Sequence, residues 1–241
     1  MNKYFFFFFI FLFIGSSRSQ QLYTFDLFTA QLTDSLLTVK DNGDKVVFEM
    51  IFHHPHDYTV DLDGDSVNEY IVIDSSGTPD LPDYFIYIFN TIDEFSQADS
   101  IHSGTTEPYT MFSNEEGGEI IVTGNAGFEY FNSDDNDTDI FLPINCWKYD
   151  SGQVYLINAD IYDLFIRENE EIMDYLDSFT DSGEYNCDLG RRNKSAIAAA
   201  YTNYIDAGEI TLAAQFLKKY YPCADTNEFL KNINQILNRE E

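Results

Sequence analysis

Apolar and polar residues alternate along the first two thirds of the chain. Along the last third, apolar residues recur every three to four positions. Residues 46–52 show the first pattern plainly, with Phe48, Met50 and Phe52 on one side and Val47, Glu49 and Ile51 on the other, the signature of a strand. Residues 84–89 are wholly apolar, aromatic and branched, as expected of a central strand with both faces covered. Short strands are expected at 58–60 and 70–73. Residues 119–123 and 128–131 are expected to form a hairpin around Gly124-Asn125-Ala126-Gly127. Further strand candidates are 140–142 and 147–149, the latter turned by Asp150-Ser151-Gly152 into 154–157. Residues 22–38 fit either a strand pair or a short helix. Residues 74–83, with two prolines, and 91–118 read as loops.

The period then changes. Ile161, Leu164, Phe165, Ile172, Tyr175, Leu176 and Phe179 share one helical face, and Ser182-Gly183 is a stop signal. Residues 195–207 and 209–221 predict two helices separated by Gly208, the second ended by Pro222. Asp225 with Glu228 resembles a helix start before the apolar stripe of Phe229, Leu230, Ile233, Ile236 and Leu237. Strands followed by helices predict an α+β chain. Its β-rich part, an antiparallel sheet resembling a propeller blade or a partial propeller, is expected over 20–158, and its helical part over 159–241. The pair at 195–221 resembles one tetratricopeptide hairpin. A single copy cannot build a solenoid, so a helical hairpin covering the sheet is expected.

The first residues stand apart. Met1-Asn2-Lys3 is a basic start, 4–14 is an unbroken apolar run, and Ser17 and Ser19 are small residues spaced as a cleavage site requires. This is the pattern of a signal peptide at 1–19, with Gln20 opening a secreted, periplasmic or cell-surface chain that keeps no membrane anchor. The formal charge of −29 repels phosphate backbones and anionic membranes, which argues against nucleic-acid partners. An aromatic content of 17% supplies enough apolar area for a core and argues against disorder. Cys146, Cys187 and Cys223 suit an oxidising compartment. Antiparallel packing of the helices at 195–221 brings the start of one near the end of the other, which predicts a Cys187–Cys223 disulfide and leaves Cys146 free. Asn136-Asp137-Thr138 and Asn193-Lys194-Ser195 are glycosylation sequons.

The most specific stretch is Asp61-Leu62-Asp63-Gly64-Asp65-Ser66-Val67-Asn68-Glu69, followed at once by Tyr70-Ile71-Val72-Ile73. Carboxylates at positions 1, 3, 5 and 9 of a tight loop suit a hard cation that prefers oxygen, above all Ca2+. An EF-hand needs glycine at position 6 and glutamate at position 12, where this chain has Ser66 and Val72. The stretch instead resembles the calcium loop of FG-GAP and VCBS-type repeats, which joins two strands of a propeller blade. The resemblance implies a ligand set of Asp61, Asp63, Asp65, Glu69 and the backbone carbonyl of Val67. Ser66 stands where those repeats commonly have a second glycine, and Glu69 where they usually have aspartate. Asp135-Asn136-Asp137-Thr138-Asp139 repeats the alternation, but Pro143 occupies its ninth position.

Other chemistry is sparse. His54 and His56, with Asp57, could bind zinc if the strand were extended, or His53-His54-Pro55-His56 is a strand end broken by proline. His102, in an expected loop, carries no signal. There is no G-x-S-x-G, H-E-x-x-H, Walker or G-x-G-x-x-G motif. The expectation is a secreted, acidic, non-enzymatic calcium-binding protein that meets a protein or glycan ligand at a surface. The alternatives are a secreted hydrolase using acidic residues, and an acidic inhibitor or structural protein that binds a basic partner.

Overall fold

The computed structural model describes residues 21–131, 140–180 and 184–237. The signal-like segment, the acidic alternation at 135–139, the sequon at Asn136 and the stop signal at Ser182-Gly183 lie outside the described residues. Within them the strands form three antiparallel sheets of four. Sheet 1 contains β1 (Leu22–Thr24), β2 (Phe28–Thr33), β3 (Leu36–Asp41) and β4 (Val46–Ile51). Sheet 2 contains β5 (His56–Val60), β6 (Glu69–Thr78), β7 (Leu81–Asn90) and β8 (Ser96–Gly104). Sheet 3 contains β9 (Tyr109–Ser113), β10 (Gly118–Gly124), β11 (Ile144–Asp150) and β12 (Gln153–Leu156). Each sheet is a meander whose strands neighbour one another in chain order, the arrangement of a propeller blade. Helices α1 (Asp163–Asp177), α2 (Cys187–Arg192), α3 (Lys194–Asp206), α4 (Ile210–Tyr220) and α5 (Thr226–Leu237) follow.

The sheets are stacked with sheet 2 in the middle. Tyr70, Val72 and Phe89 point one way, against Phe28, Ala30, Leu37 and Val39 of sheet 1. Their neighbours Ile71, Ile73, Ile86 and Ile88 point the other way, against Ile121 and Tyr149 of sheet 3. Because successive side chains leave a strand on opposite faces, a strand covered twice needs an unbroken apolar run. The runs at 70–73 and 84–89 meet that need. The far face of sheet 3, with Ile120, Val122, Ile144 and Cys146, packs on Ile157, Ile161, Leu164 and Phe165 at the entry to α1. At the opposite end, Tyr23, Ala30, Val39 and Phe48 form a row facing sheet 2. The alternate row, Leu22, Gln31, Thr38 and Glu49, therefore faces away from the stack.

At 22–38, where the pattern fits either a strand pair or a short helix, the chain forms strands. Several local expectations are overturned. β6 and β7 extend into 74–83, leaving only a short turn between Thr78 and Leu81. The region 91–118 carries β8 and β9 instead of irregular loop. β10 pairs with β9 and β11, and the expected second arm at 128–131 is not a strand: residues 126–128 form a 3-10 turn and 129–131 continue it as turn. Residues 140–142 are not a strand. Most of these are hairpins between chain neighbours whose polar or proline-bearing sequences read locally as loop, and only the β10–β11 pair joins strands well apart in sequence.

The helical layer is built around α3, whose Ala196, Ala198, Ala199 and Ala200 are all buried and let α1 and α4 approach closely. Polar side chains fasten it to the β part. The Ser195 hydroxyl donates to the Phe141 carbonyl and accepts from the Phe141 amide, at 2.9 and 2.8 Å. Asn203 Oδ1 accepts from the Ile144 amide at 3.1 Å, and its Nδ2 donates to Asn169 Oδ1 at 3.1 Å. Asn158, just after β12, bridges the two parts: its Oδ1 accepts from the Cys146 amide at 2.7 Å and its Nδ2 donates to Asp206 Oδ2 of α3 at 3.1 Å. Gly208, at φ +76°, makes the turn between α3 and α4. A side chain at Gly190 would meet the Tyr220 carbonyl at 2.8 Å, so glycine lets α2 lie against the end of α4. That contact brings Cys187 and Cys223 together in a disulfide, with Cα atoms 4.9 Å apart. Cys146 is free and fully buried, and burial pushes its thiol up to about 12.

Asn203 is fully buried, so Asn203→Ala leaves the Ile144 amide and Asn169 without their partner. The expected result is a loss of about 1–3 kcal/mol in urea unfolding of the oxidised protein. An unchanged midpoint would show that the Asn203 hydrogen bonds do not hold the two layers together.

Candidate metal-binding loop

The acidic loop joins β5 to β6 where the two strands have just paired, with Val60 opposite Glu69. Gly64 and Ser66 both adopt the left-handed region, at φ +78° and +72°. Ser66 thus takes on the conformation that glycine adopts freely, at a cost in backbone strain. The resulting turn gathers the aspartates. One carboxylate oxygen from each of Asp61, Asp63 and Asp65 lies within 4.8 Å of the others.

The loop's own amides order these carboxylates. Asp61 accepts from the Gly64 and Ser66 amides at 2.8 and 3.0 Å. Asp63 accepts from the Asp65 amide at 3.2 Å, and Asp65 from the Val67 amide at 2.7 Å. Glu69 stands beside the group, not within it. Its carboxylate accepts from the Leu62 amide at 2.9 Å, and the residue is only 2% exposed. Burial first, then the nearby Asp63 and Asp65, push its carboxyl up to about 7. Val67 sits at the exposed rim of the loop.

The loop borders a cleft of about 420 Å³ that Asp93, Glu94 and Tyr149 also line. Tyr149 reaches it from sheet 3. Its hydroxyl is pushed up to about 12, by burial and then by Glu69, Asp63 and Asp65. Five carboxylates around one cleft hold a strongly negative potential, which a cation lowers and an anion does not.

The histidines at 53–56 diverge. Asp74, buried beneath them, accepts from the His53 and His54 amides at 2.9 and 2.8 Å and faces His53 Nδ1 at 3.3 Å. His56 Nε2 lies 3.8 Å from Glu107. No metal-ligating cluster among the described residues includes His53, His54 or His56. His102 was the residue that local reading missed. It lies on β8, beside Asp83 and Glu129. Only knowledge of the β7–β8 pairing could have placed it there.

No family model, curated protein or solved structure matches the chain. No helix among the described residues is long and apolar enough to cross a membrane.

Glu69 makes the metal-free protein sensitive to pH. Its carboxyl is raised from 4.5 to about 7 on folding, so the folded state takes up a proton that the unfolded chain releases. That contribution is fully present below about 4.5 and is lost as pH rises through about 7. With chelator present, Glu69→Gln is expected to flatten the fall in melting temperature between pH 5 and pH 8. The same slope in the variant and the wild type would assign that fall to other groups.

Proposed function

We propose that the protein is an exported, acidic, non-enzymatic protein that holds a calcium ion in the loop between β5 and β6 and uses its sheet stack as a rigid binding surface. The convergence of Asp61, Asp63 and Asp65 between two paired strands carries this reading. The resemblance of the loop to FG-GAP and VCBS-type repeats points the same way, as does the setting in a four-stranded meander. All-carboxylate chemistry favours a hard cation, and a site of this charge and flexibility favours Ca2+ over Mg2+. Glu69 and the Val67 carbonyl would complete the shell. Glu69 would do so by turning from the Leu62 amide or by orienting the loop through it. The apolar, basic-headed start of the chain and the Cys187–Cys223 disulfide support export to an oxidising compartment. The partner is a protein or glycan, since the charge of −29 disfavours nucleic acid.

The raised carboxyl of Glu69 beside two aspartates also fits the general acid of a hydrolase. Glu69, however, lies at the floor of the cleft with its carboxylate bound to the Leu62 amide at 2.9 Å and only 2% of the residue exposed, which leaves a substrate little access to it. A metal-linked role suits it better.

Calcium at a hundredfold excess over its dissociation constant is expected to stabilise the protein by about 2.7 kcal/mol. Asp63→Ala is expected to abolish most of that gain while leaving the chelator-treated protein as stable as before or more so, because it removes like-charge repulsion. Magnesium should substitute poorly. Paired melts of wild type and Asp63→Ala, with calcium and with chelator, check this. Equal calcium shifts in both proteins would mean that the ion acts through diffuse charge, and the site would have to be given up.

A further inference from the structure

Sheets 2 and 3 meet where β8 and β10 end. The Gly124 amide donates to the buried Ser103 hydroxyl at 2.9 Å, and a side chain at Gly124 would lie 2.7 Å from the Ser103 carbonyl. The backbones are therefore locked at this point. β8 carries one extra residue here, since Phe85 pairs with His102 while Tyr84 pairs with Gly104. Such bulges re-aim side chains. This one lays the His102 ring flat on Phe85, with centroids 4.4 Å apart and planes 10° apart, and turns the chain at Gly104 with φ +59°. The ring then presents Nε2 to Asp83 Oδ1 at 2.5 Å.

The third group comes from the turn that follows β10. β10 ends at Gly124, the 3-10 turn Ala126–Phe128 follows, and the buried Phe128 anchors Glu129 directly behind it. A side chain at Gly104 would come within 2.7 Å of Glu129 Oε1, so glycine clears the space this carboxylate occupies. One donor atom from each of Asp83, His102 and Glu129 lies within 4.8 Å of the other two.

We propose that Asp83, His102 and Glu129 form a second metal site, specific for a divalent transition-metal ion of the zinc type. One imidazole nitrogen and two carboxylate oxygens form a donor set that suits zinc and is poor for calcium or magnesium. An imidazolium could neutralise only one of the two carboxylates. A divalent ion neutralises both and leaves the imidazole neutral. Zinc needs ligand atoms about 2.0–2.2 Å from itself, so the His102–Asp83 contact has to open slightly to admit it. Asp83 and His102 side chains are each 39% exposed, which leaves a path for the ion and a fourth position for water. This proposal is independent of the calcium loop, because the two sites share no residue.

The test is a zinc titration by calorimetry on the full oxidised protein, with excess calcium present. The expected result is one zinc per chain, with binding weakened at least about tenfold in His102→Asn and in Glu129→Gln and unchanged in Asp63→Ala. The ring resonances of His102, one of four histidines, should shift in the wild-type spectrum when zinc is added. That readout needs no variant to fold. No zinc binding, binding that survives His102→Asn, binding lost in Asp63→Ala, or shifts confined to His53, His54 and His56 would each overturn the assignment.

Discussion

The whole arrangement depends on burying both faces of β6 and β7. Tyr70, Ile71, Val72, Ile86, Ile88 and Phe89 are all essentially inaccessible, and they alternate between two different neighbouring sheets. Burying each such side chain contributes on the order of 1.5–3 kcal/mol, and neither neighbour can be removed without exposing half of them. A stack of this kind has to stop somewhere. In a propeller it closes into a ring, so every face finds a partner. Here the two ends are finished differently. Sheet 1 turns a mixed row that includes Gln31, Thr38 and Glu49 outward. Sheet 3 is covered by the helical layer, and Ile161, Leu164 and Phe165 take the place of a further sheet.

The acidic loop inherits its rigidity from that core. Glu69 is the first residue of β6, and the next residue, Tyr70, is fully buried. Tyr70 is packed against Tyr23, Phe25 and Phe95 and donates to Asp57. The loop's last carboxylate is therefore carried on the buried start of β6, while Asp61, Asp63 and Asp65 are shaped by their own turn. Loop amides already satisfy part of the carboxylates' hydrogen-bonding capacity. A cation would therefore find a shaped site and relieve its repulsion, with less ordering to do than in a loose loop.

Much of this was legible in local sequence, and the reason is physical. The apolar runs at 70–73 and 84–89 and the helical stripes are short-range patterns, and each matches an element found in the structure, while the aspartate spacing matches a turn that brings Asp61, Asp63 and Asp65 together. The Cys187–Cys223 pairing was legible because a glycine turn forces two neighbouring helices to fold back. The strand β8 was not. Its sequence, Ser-Gln-Ala-Asp-Ser-Ile-His-Ser-Gly, is mostly polar and becomes a strand only because β7 offers it an edge. The same is true of the His102 cluster, whose members come from β7, from β8 and from the turn after β10. The side-chain straps from Ser195, Asn203 and Asn158 to the β part are equally silent in sequence, since a buried asparagine and a surface one look alike.

The central claim is that the helical layer is the end-cap of the sheet stack, so that both unfold together. Native-state hydrogen exchange on the oxidised protein tests it most directly, because it reads the opening free energy of each segment separately. The account predicts that the slowest amides of β6 and β7, of β10 and β11, and of α3 all exchange through one global opening with the same free energy. Helices α3 and α4 that open well before β10 and β11, while those strands keep full protection, would contradict it.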